Sequence, residues 1–187
     1  MAAEKCCTFD AMKPEAHTCY LLLGSNLGDK RGKISRAIRE IETQIGSVVK
    51  QSSYYASEPW GFEASDDFIN AVVEVETFLK PAEILQKILE IENEAGRNRS
   101  RSQAYASRVL DIDILFYDDL IMETGDLSIP HPRLHRRRFT LMPLTEIAPG
   151  LVHPLFKKSV AALLEASTDK LFVKKMRINK RNTAAEK

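Results

Sequence analysis

Arg108-Val109-Leu110-Asp111-Ile112-Asp113-Ile114-Leu115-Phe116 is the stretch whose reading decides the fold. Its β-branched and aromatic content predicts a strand, whose side chains alternate between two faces. Leu110, Ile112, Ile114 and Phe116 are then expected to enter a core. Asp111 and Asp113 point the other way, with Cα atoms roughly 7 Å apart at the ordinary strand rise. Two carboxylates on one face repel each other, and desolvating them is costly unless they are paired or bound to a metal. Mg²⁺ suits such a pair, because it is commonly held by one or two carboxylates together with substrate phosphates and water.

Immediately upstream lie Arg97, Arg99, Arg101 and Arg108, in a Ser-containing segment without apolar periodicity. The guanidinium group is a planar fork of donors that matches phosphate oxygens. Carboxylates for a metal beside arginines for a polyphosphate are what a phosphoryl-transfer site needs. The plainer alternative is a solvated strand face whose aspartates pair with those same arginines, since Asp-x-Asp alone is a weak motif.

Working outward, Cys19-Tyr20-Leu21-Leu22-Leu23 is a nearly continuous apolar run, as in a buried central strand. Gly24-Ser25-Asn26-Leu27-Gly28-Asp29 reads as a turn that serves the fold or also borders a ligand; it lacks the Gly-Lys-Ser/Thr ending of a phosphate loop. Asp29 is a helix N-cap for the stripe Ile34, Ile38, Ile41 and Ile45, which Gly46 stops. Val48 to Ala56 reads as a second strand. Phe68 to Phe78 reads as a third, with Ile69, Ala71, Val73 and Val75 on one face and Phe68, Asn70, Val72, Glu74 and Glu76 on the other. Pro81 opens a second helix striped by Ile84, Leu85, Ile88, Ile91 and Ala95, and Gly96 ends it.

The resulting order, β-α-β-β-α-β, predicts an α+β fold of ferredoxin-like arrangement, with both helices on one face of an antiparallel sheet. The other face is left for later chain or for ligand. Leu120-Ile121-Met122 is expected to form a short hairpin partner. Arg133 to Leu144 and the segment around Val160, Leu163 and Leu164 are expected to be helical C-terminal additions. One domain is expected over 19–168, with residues 1–18 and 169–187 as flexible tails. The second tail includes five basic residues between Lys174 and Arg181, read as a solvated charge run.

The totals narrow the classes. A chain of 187 residues, 44% hydrophobic and 28% charged, is long enough for one well-packed domain. A net charge of +1 gives no general attraction to nucleic acid or anionic membrane. Cys6, Cys7 and Cys19 form neither a disulfide framework nor a zinc spacing, which suits a reducing compartment. With no export signal or membrane-length apolar run, a cytoplasmic location is expected.

Taken together, seven ordered motifs resemble the 6-hydroxymethyl-7,8-dihydropterin pyrophosphokinase family over residues 19 to about 165. They are Gly24-Ser25-Asn26, Phe68-Ile69-Asn70-Ala71, Gly96-Arg97-x-Arg99, Arg108-x-Leu110-Asp111-Ile112-Asp113-Ile114, Ile129-Pro130-His131-Pro132, Arg137-x-Phe139 and Pro143-Leu144. The resemblance implies transfer of pyrophosphate from ATP to the pterin hydroxymethyl group, leaving AMP, as a step of folate biosynthesis. It further implies that Asp111 and Asp113 hold two Mg²⁺ ions with ATP, and that Asp111 activates the hydroxyl. Arg97, Arg99 and Arg108 would close over the phosphates. Glu92, Ile114, Ser128, His131 and Arg137 match nucleotide-contacting positions. Phe68 and Phe139 would sandwich the pterin, Asn70 would bond its edge, and Ser57, Pro59 and Trp60 would frame the pocket. Taken alone, Glu92 reads as a helix-surface charge, Phe68 and Phe139 as core, and His131 as a histidine satisfied by the fold.

The chain departs from the family pattern at Tyr105-Ala106-Ser107, where many members have Trp-Gly-Pro, and by one extra residue between Arg99 and Tyr105. The loop 98–107 is expected to be mobile until nucleotide binds. A monomer acting on ATP and hydroxymethyl-dihydropterin is expected, without nucleic-acid or membrane partners. A metal-dependent nuclease and an RNA-binding ferredoxin-like module are the competing readings. The first wants a broad basic surface, which the near-neutral charge does not suggest, and the second lacks the aromatic-and-glycine strand motif.

Overall fold

The computed structural model describes residues 15–60, 66–96 and 109–177. The chain runs β1 (His17–Ser25), α1 (Lys30–Gln44), β2 (Ser47–Gln51), β3 (Tyr55–Ser57), β4 (Phe68–Thr77), α2 (Pro81–Glu94) and β5 (Asp111–Tyr117). There follow the hairpin strands β6 (Met122–Glu123) and β7 (Ser128–Ile129), α3 (Arg138–Ile147), α4 (Val160–Glu165) and β8 (Val173–Lys175). The main sheet is ordered β5-β1-β4-β3-β8, with β2 also paired to β4. Every pairing is antiparallel. This is the ferredoxin-like arrangement, with the expected second strand broken into β2 and β3 at Ser52, Ser53 and Tyr54.

Helices α1 and α2 pack on one face, as their stripes predict. Ile34, Ile38 and Ile41 of α1, and Ile84, Ile88 and Ile91 of α2, join Leu21, Leu23, Ala71, Val73, Val75, Ile112 and Ile114 in one core. The Asp29 carboxylate accepts the Gly32 N–H at 3.0 Å and caps α1. Gly46 is required for closeness and not for helix ending: a Cβ there would lie 2.1 Å from the Glu76 carbonyl oxygen. On the opposite face, Tyr20, Leu22, Val72, Leu115 and Phe116 meet Leu134, Leu141, Leu144, Val160 and Leu163. The C-terminal additions therefore cover the second face but stop short of one end of the sheet.

Four expectations are corrected. Phe116 belongs to the second core and not to the helix-side one. The register passes from Tyr20↔Phe116 to Leu21↔Ile114, so Leu115 is an inserted residue and alternation restarts beyond it. Leu120 to Met122 does not extend β5; Met122 and Glu123 pair with Ser128 and Ile129 in a separate hairpin. The chain beyond 168 is not only a tail: Val173, Lys174 and Lys175 pair with Ser57, Ala56 and Tyr55 as a sheet strand. Likewise β1 begins at His17, inside the expected lead-in.

Candidate active site

Sheet register builds the floor of the site. Gly24 on β1 pairs with Asn70 on β4 and with Asp111 on β5, and Leu22 pairs with Val72 and Asp113. Residues directly opposite share a face, so Asp111, Gly24 and Asn70 form one row, and Asp113 and Leu22 the next. Ser57 of β3 pairs with Phe68 and adds the neighbouring wall. Above this floor is a cavity of about 240 Å³, lined by Leu22, Gly24, Ser57, Glu58, Trp60, Phe68, Asn70, Asp111, Asp113, His131, Arg137 and Phe139.

Most of the expected site residues described by the structure converge there. Asn70 is nearly fully buried, and its Nδ2 donates to the Ser57 hydroxyl at 2.8 Å. Gly24 leaves room for this amide, because a Cβ would sit 3.1 Å from Asn70 Oδ1. The Arg137 guanidinium lies over the rings of Trp60 and Phe139, 4.9 and 5.6 Å from their centroids, which is cation–π geometry. Its NH1 is 4.0 Å from Asp113 Oδ2. Arg137, expected on the nucleotide, thus bridges the aromatic wall and the carboxylate pair.

The inserted Leu115 places His131. Its carbonyl accepts the His131 N–H at 2.9 Å, bringing the imidazole to the cavity with Nε2 4.0 Å from Asp113 Oδ2. Burial, and then the Arg137 guanidinium, push the His131 pKa down to about 4. The Arg133 N–H donates to His131 Nδ1, so the neutral ring carries its proton on Nε2, as a donor aimed at the site. His153, buried against Phe116 and Phe156, is also pushed down to about 4, chiefly by burial.

A pH prediction follows from this pair. Both folded pKa values lie below the unfolded value of about 6.5, so between these limits the unfolded chain binds more protons. Stability from these rings is present above about pH 6.5 and is lost as pH falls towards 4. Urea unfolding at stepped pH should show this loss, and His131 ring resonances should remain neutral down to about pH 5. A His131 titration near 6.5 would contradict the assignment.

Glu92, Ile114, Ser128 and Pro59 do not line the cavity. Ile114 packs in the helix-side core. Glu92 is fully buried, and its Oε1 accepts the Ile112 N–H at 2.8 Å. It is thus neither a surface charge nor a cavity group; it holds the strand between Asp111 and Asp113. Arg97, Arg99, Arg108 and the loop 98–107 lie outside the described residues. Two residues of the site escape the sequence reading: Leu22 looks like core and Glu58 like a loop charge. Ser25, in the Gly24-Ser25-Asn26 motif, ends β1 and donates to the Val109 carbonyl at 2.6 Å, which anchors the start of β5.

Asp111 and Asp113 offer a pair of hard oxygen donors on one face of a single strand, at a cavity with a neutral imidazole donor and a guanidinium. That donor chemistry fits Mg²⁺ shared with phosphate oxygens.

Comparison with known proteins points the same way. The family model for 7,8-dihydro-6-hydroxymethylpterin-pyrophosphokinase matches residues 20–149. A 2-amino-4-hydroxy-6-hydroxymethyldihydropteridine pyrophosphokinase of Aquifex aeolicus is 40% identical over 155 residues, covering 83% of this chain and 95% of the relative. One from Porphyromonas gingivalis is 42% identical over 137 residues, covering 72% and 92%. Among solved structures, a Plasmodium falciparum HPPK-DHPS triple mutant superposes with a TM-score of 0.67 at 17% identity, over 83% of this chain. The chain spans 44% of that longer protein, and the likeness concerns the fold.

Proposed function

As a member of the 7,8-dihydro-6-hydroxymethylpterin-pyrophosphokinase family, the chain transfers pyrophosphate from ATP to 6-hydroxymethyl-7,8-dihydropterin in folate biosynthesis, and we propose how its own residues do so. The observation that carries the proposal is one sheet end that combines an aromatic, amide-edged slot with two adjacent carboxylates.

We assign the slot to the pterin. Phe68 and Phe139 supply apolar walls for a flat heterocycle, Trp60 frames it, and Asn70 with Ser57 presents hydrogen-bonding edges. This orientation would bring the hydroxymethyl group towards Asp111, which accepts its proton as the hydroxyl attacks the β-phosphorus. Asp111 and Asp113 would hold Mg²⁺, with two ions expected from the family resemblance. When bound, the metal neutralises phosphate charge and aligns the triphosphate. His131 Nε2–H and Arg137 donate to phosphate oxygens beside Asp113. Arg97, Arg99 and Arg108 complete the charge neutralisation. Positioning and electrostatics thus supply most of the rate.

Among the described residues, no helix is long and apolar enough to cross a membrane. We place the reaction in the cytoplasm and expect a monomer, which light scattering of the purified chain would check. Incubation with ATP, Mg²⁺ and hydroxymethyl-dihydropterin should release AMP with one equivalent of the pterin diphosphate. Release of ADP would mean transfer of a single phosphoryl group and would overturn the reading.

A further inference from the structure

The N-terminus of α3 carries two cavity residues, Arg137 and Phe139, yet it lacks a cap of its own. Arg137 occupies the N-cap position and makes no side-chain cap, because an arginine side chain has no acceptor. The orphan N–H of Arg138, between the two cavity residues, donates instead to Asp169 Oδ2 at 2.9 Å. Asp169 comes from the segment after α4, beyond the 20–149 stretch that the family model matches.

The same segment grips the opposite wall. The Phe172 N–H donates to Glu58 Oε2 at 3.1 Å, and the Glu58 N–H donates to the Phe172 carbonyl at 3.3 Å. Val173 pairs with Ser57, and the Met176 N–H donates to the Tyr54 carbonyl at 2.8 Å. Ser57 and Glu58 both line the cavity. Farther along, Lys175 Nζ meets Glu146 Oε1 of α3 at 2.8 Å, while Glu146 Oε2 accepts the Tyr55 hydroxyl. The segment is therefore bonded to both sides of the slot, and it reaches α3 through Asp169 and Lys175.

We propose that Asp169 and the strand after it form a positioning strap, which sets the separation of the Ser57–Glu58 and Arg137–Phe139 walls and thereby the affinity for the pterin. The strap rests on the pterin slot assigned above. Asp169 is a positioning residue: it touches no substrate and acts through the Arg138 N–H. A negative carboxylate there also complements the helix N-terminus.

The test compares Asp169→Ala, Asp169→Asn and a chain ending at Thr168 with the full chain. It measures binding of hydroxymethyl-dihydropterin and of a non-hydrolysable ATP analogue separately, together with thermal unfolding. Asp169→Ala should weaken pterin binding about fivefold, the size of a lost helix cap, and weaken nucleotide binding less. Asp169→Asn, which keeps an acceptor oxygen, should restore pterin affinity. The shortened chain, if folded, should lose more than Asp169→Ala. Equal loss of both ligands tracking the melting temperature, or unchanged pterin affinity in Asp169→Ala, would overturn the strap. Asn70→Ala, made in parallel, separates the two readings. If it weakens pterin binding while Asp169→Ala does not, the slot stands and the strap fails; if it leaves pterin binding intact, the slot assignment falls and the strap with it.

Discussion

Replacing Asp113 with alanine is expected to lower kcat by about 100-fold or more, equivalent to about 2.7 kcal/mol of lost transition-state stabilisation. Asp113 faces the cavity and sits within 4.0 Å of both His131 Nε2 and Arg137 NH1. It contributes to neither apolar core, since both are built from the alternating neighbours Ile112 and Ile114 and from residues beyond the insertion. Removing it would delete a proposed metal ligand and take a carboxylate from beside two donors, while the helix-side packing is untouched. Thermal unfolding should therefore change little and AMP formation greatly. Near-normal kcat at saturating Mg²⁺ would remove Asp113 from the metal site.

The same strand shows how far the sequence can be read. Alternation places Leu110, Ile112 and Ile114 in the helix-side core, and the structure agrees; Phe116 turns to the other face because Leu115 is inserted. Nothing local announces that insertion, since Leu-Phe-Tyr fits either register. Its consequence is long-range: the freed carbonyl takes the His131 N–H, and so a histidine 16 positions away reaches the carboxylates. Glu92 is a similar case. Its helical phase, four residues after Ile88 and seven after Leu85, lies on the buried stripe; its charge alone reads as surface, and the Ile112 N–H at the edge of β5 gives the buried carboxylate a partner. The basic residues after Val173 look like a solvated run because charge says nothing about backbone pairing. Lys174 and Lys175 stay exposed while their main chain extends the sheet. The row Asp111, Gly24 and Asn70 was legible only as three separate motifs, and register unites them.

Asn70→Ala is expected to weaken pterin binding by about 10- to 100-fold, on the scale of leaving buried polar groups unpaired at about 1–3 kcal/mol. Asn70 is 2% exposed, in the middle of the floor, with Gly24 on one side and Tyr55 on the other. Its Nδ2 already satisfies the Ser57 hydroxyl, so the amide is oriented before any ligand arrives and little rotamer freedom remains to be lost on binding. Alanine removes the edge acceptor and also releases Ser57, loosening two polar groups of the slot together. An apolar gap cannot replace them for a ligand whose rim is a row of donors and acceptors, and sites built to hydrogen-bond a ligand lose affinity steeply when a partner is missing. On the proposed assignment of Asp113, His131 and Arg137 to the nucleotide, ATP-analogue binding should change by less than about twofold, well inside 1 kcal/mol. Calorimetry with each ligand alone distinguishes the cases. Equal losses for both ligands would show that Asn70 supports the sheet and does not recognise the pterin.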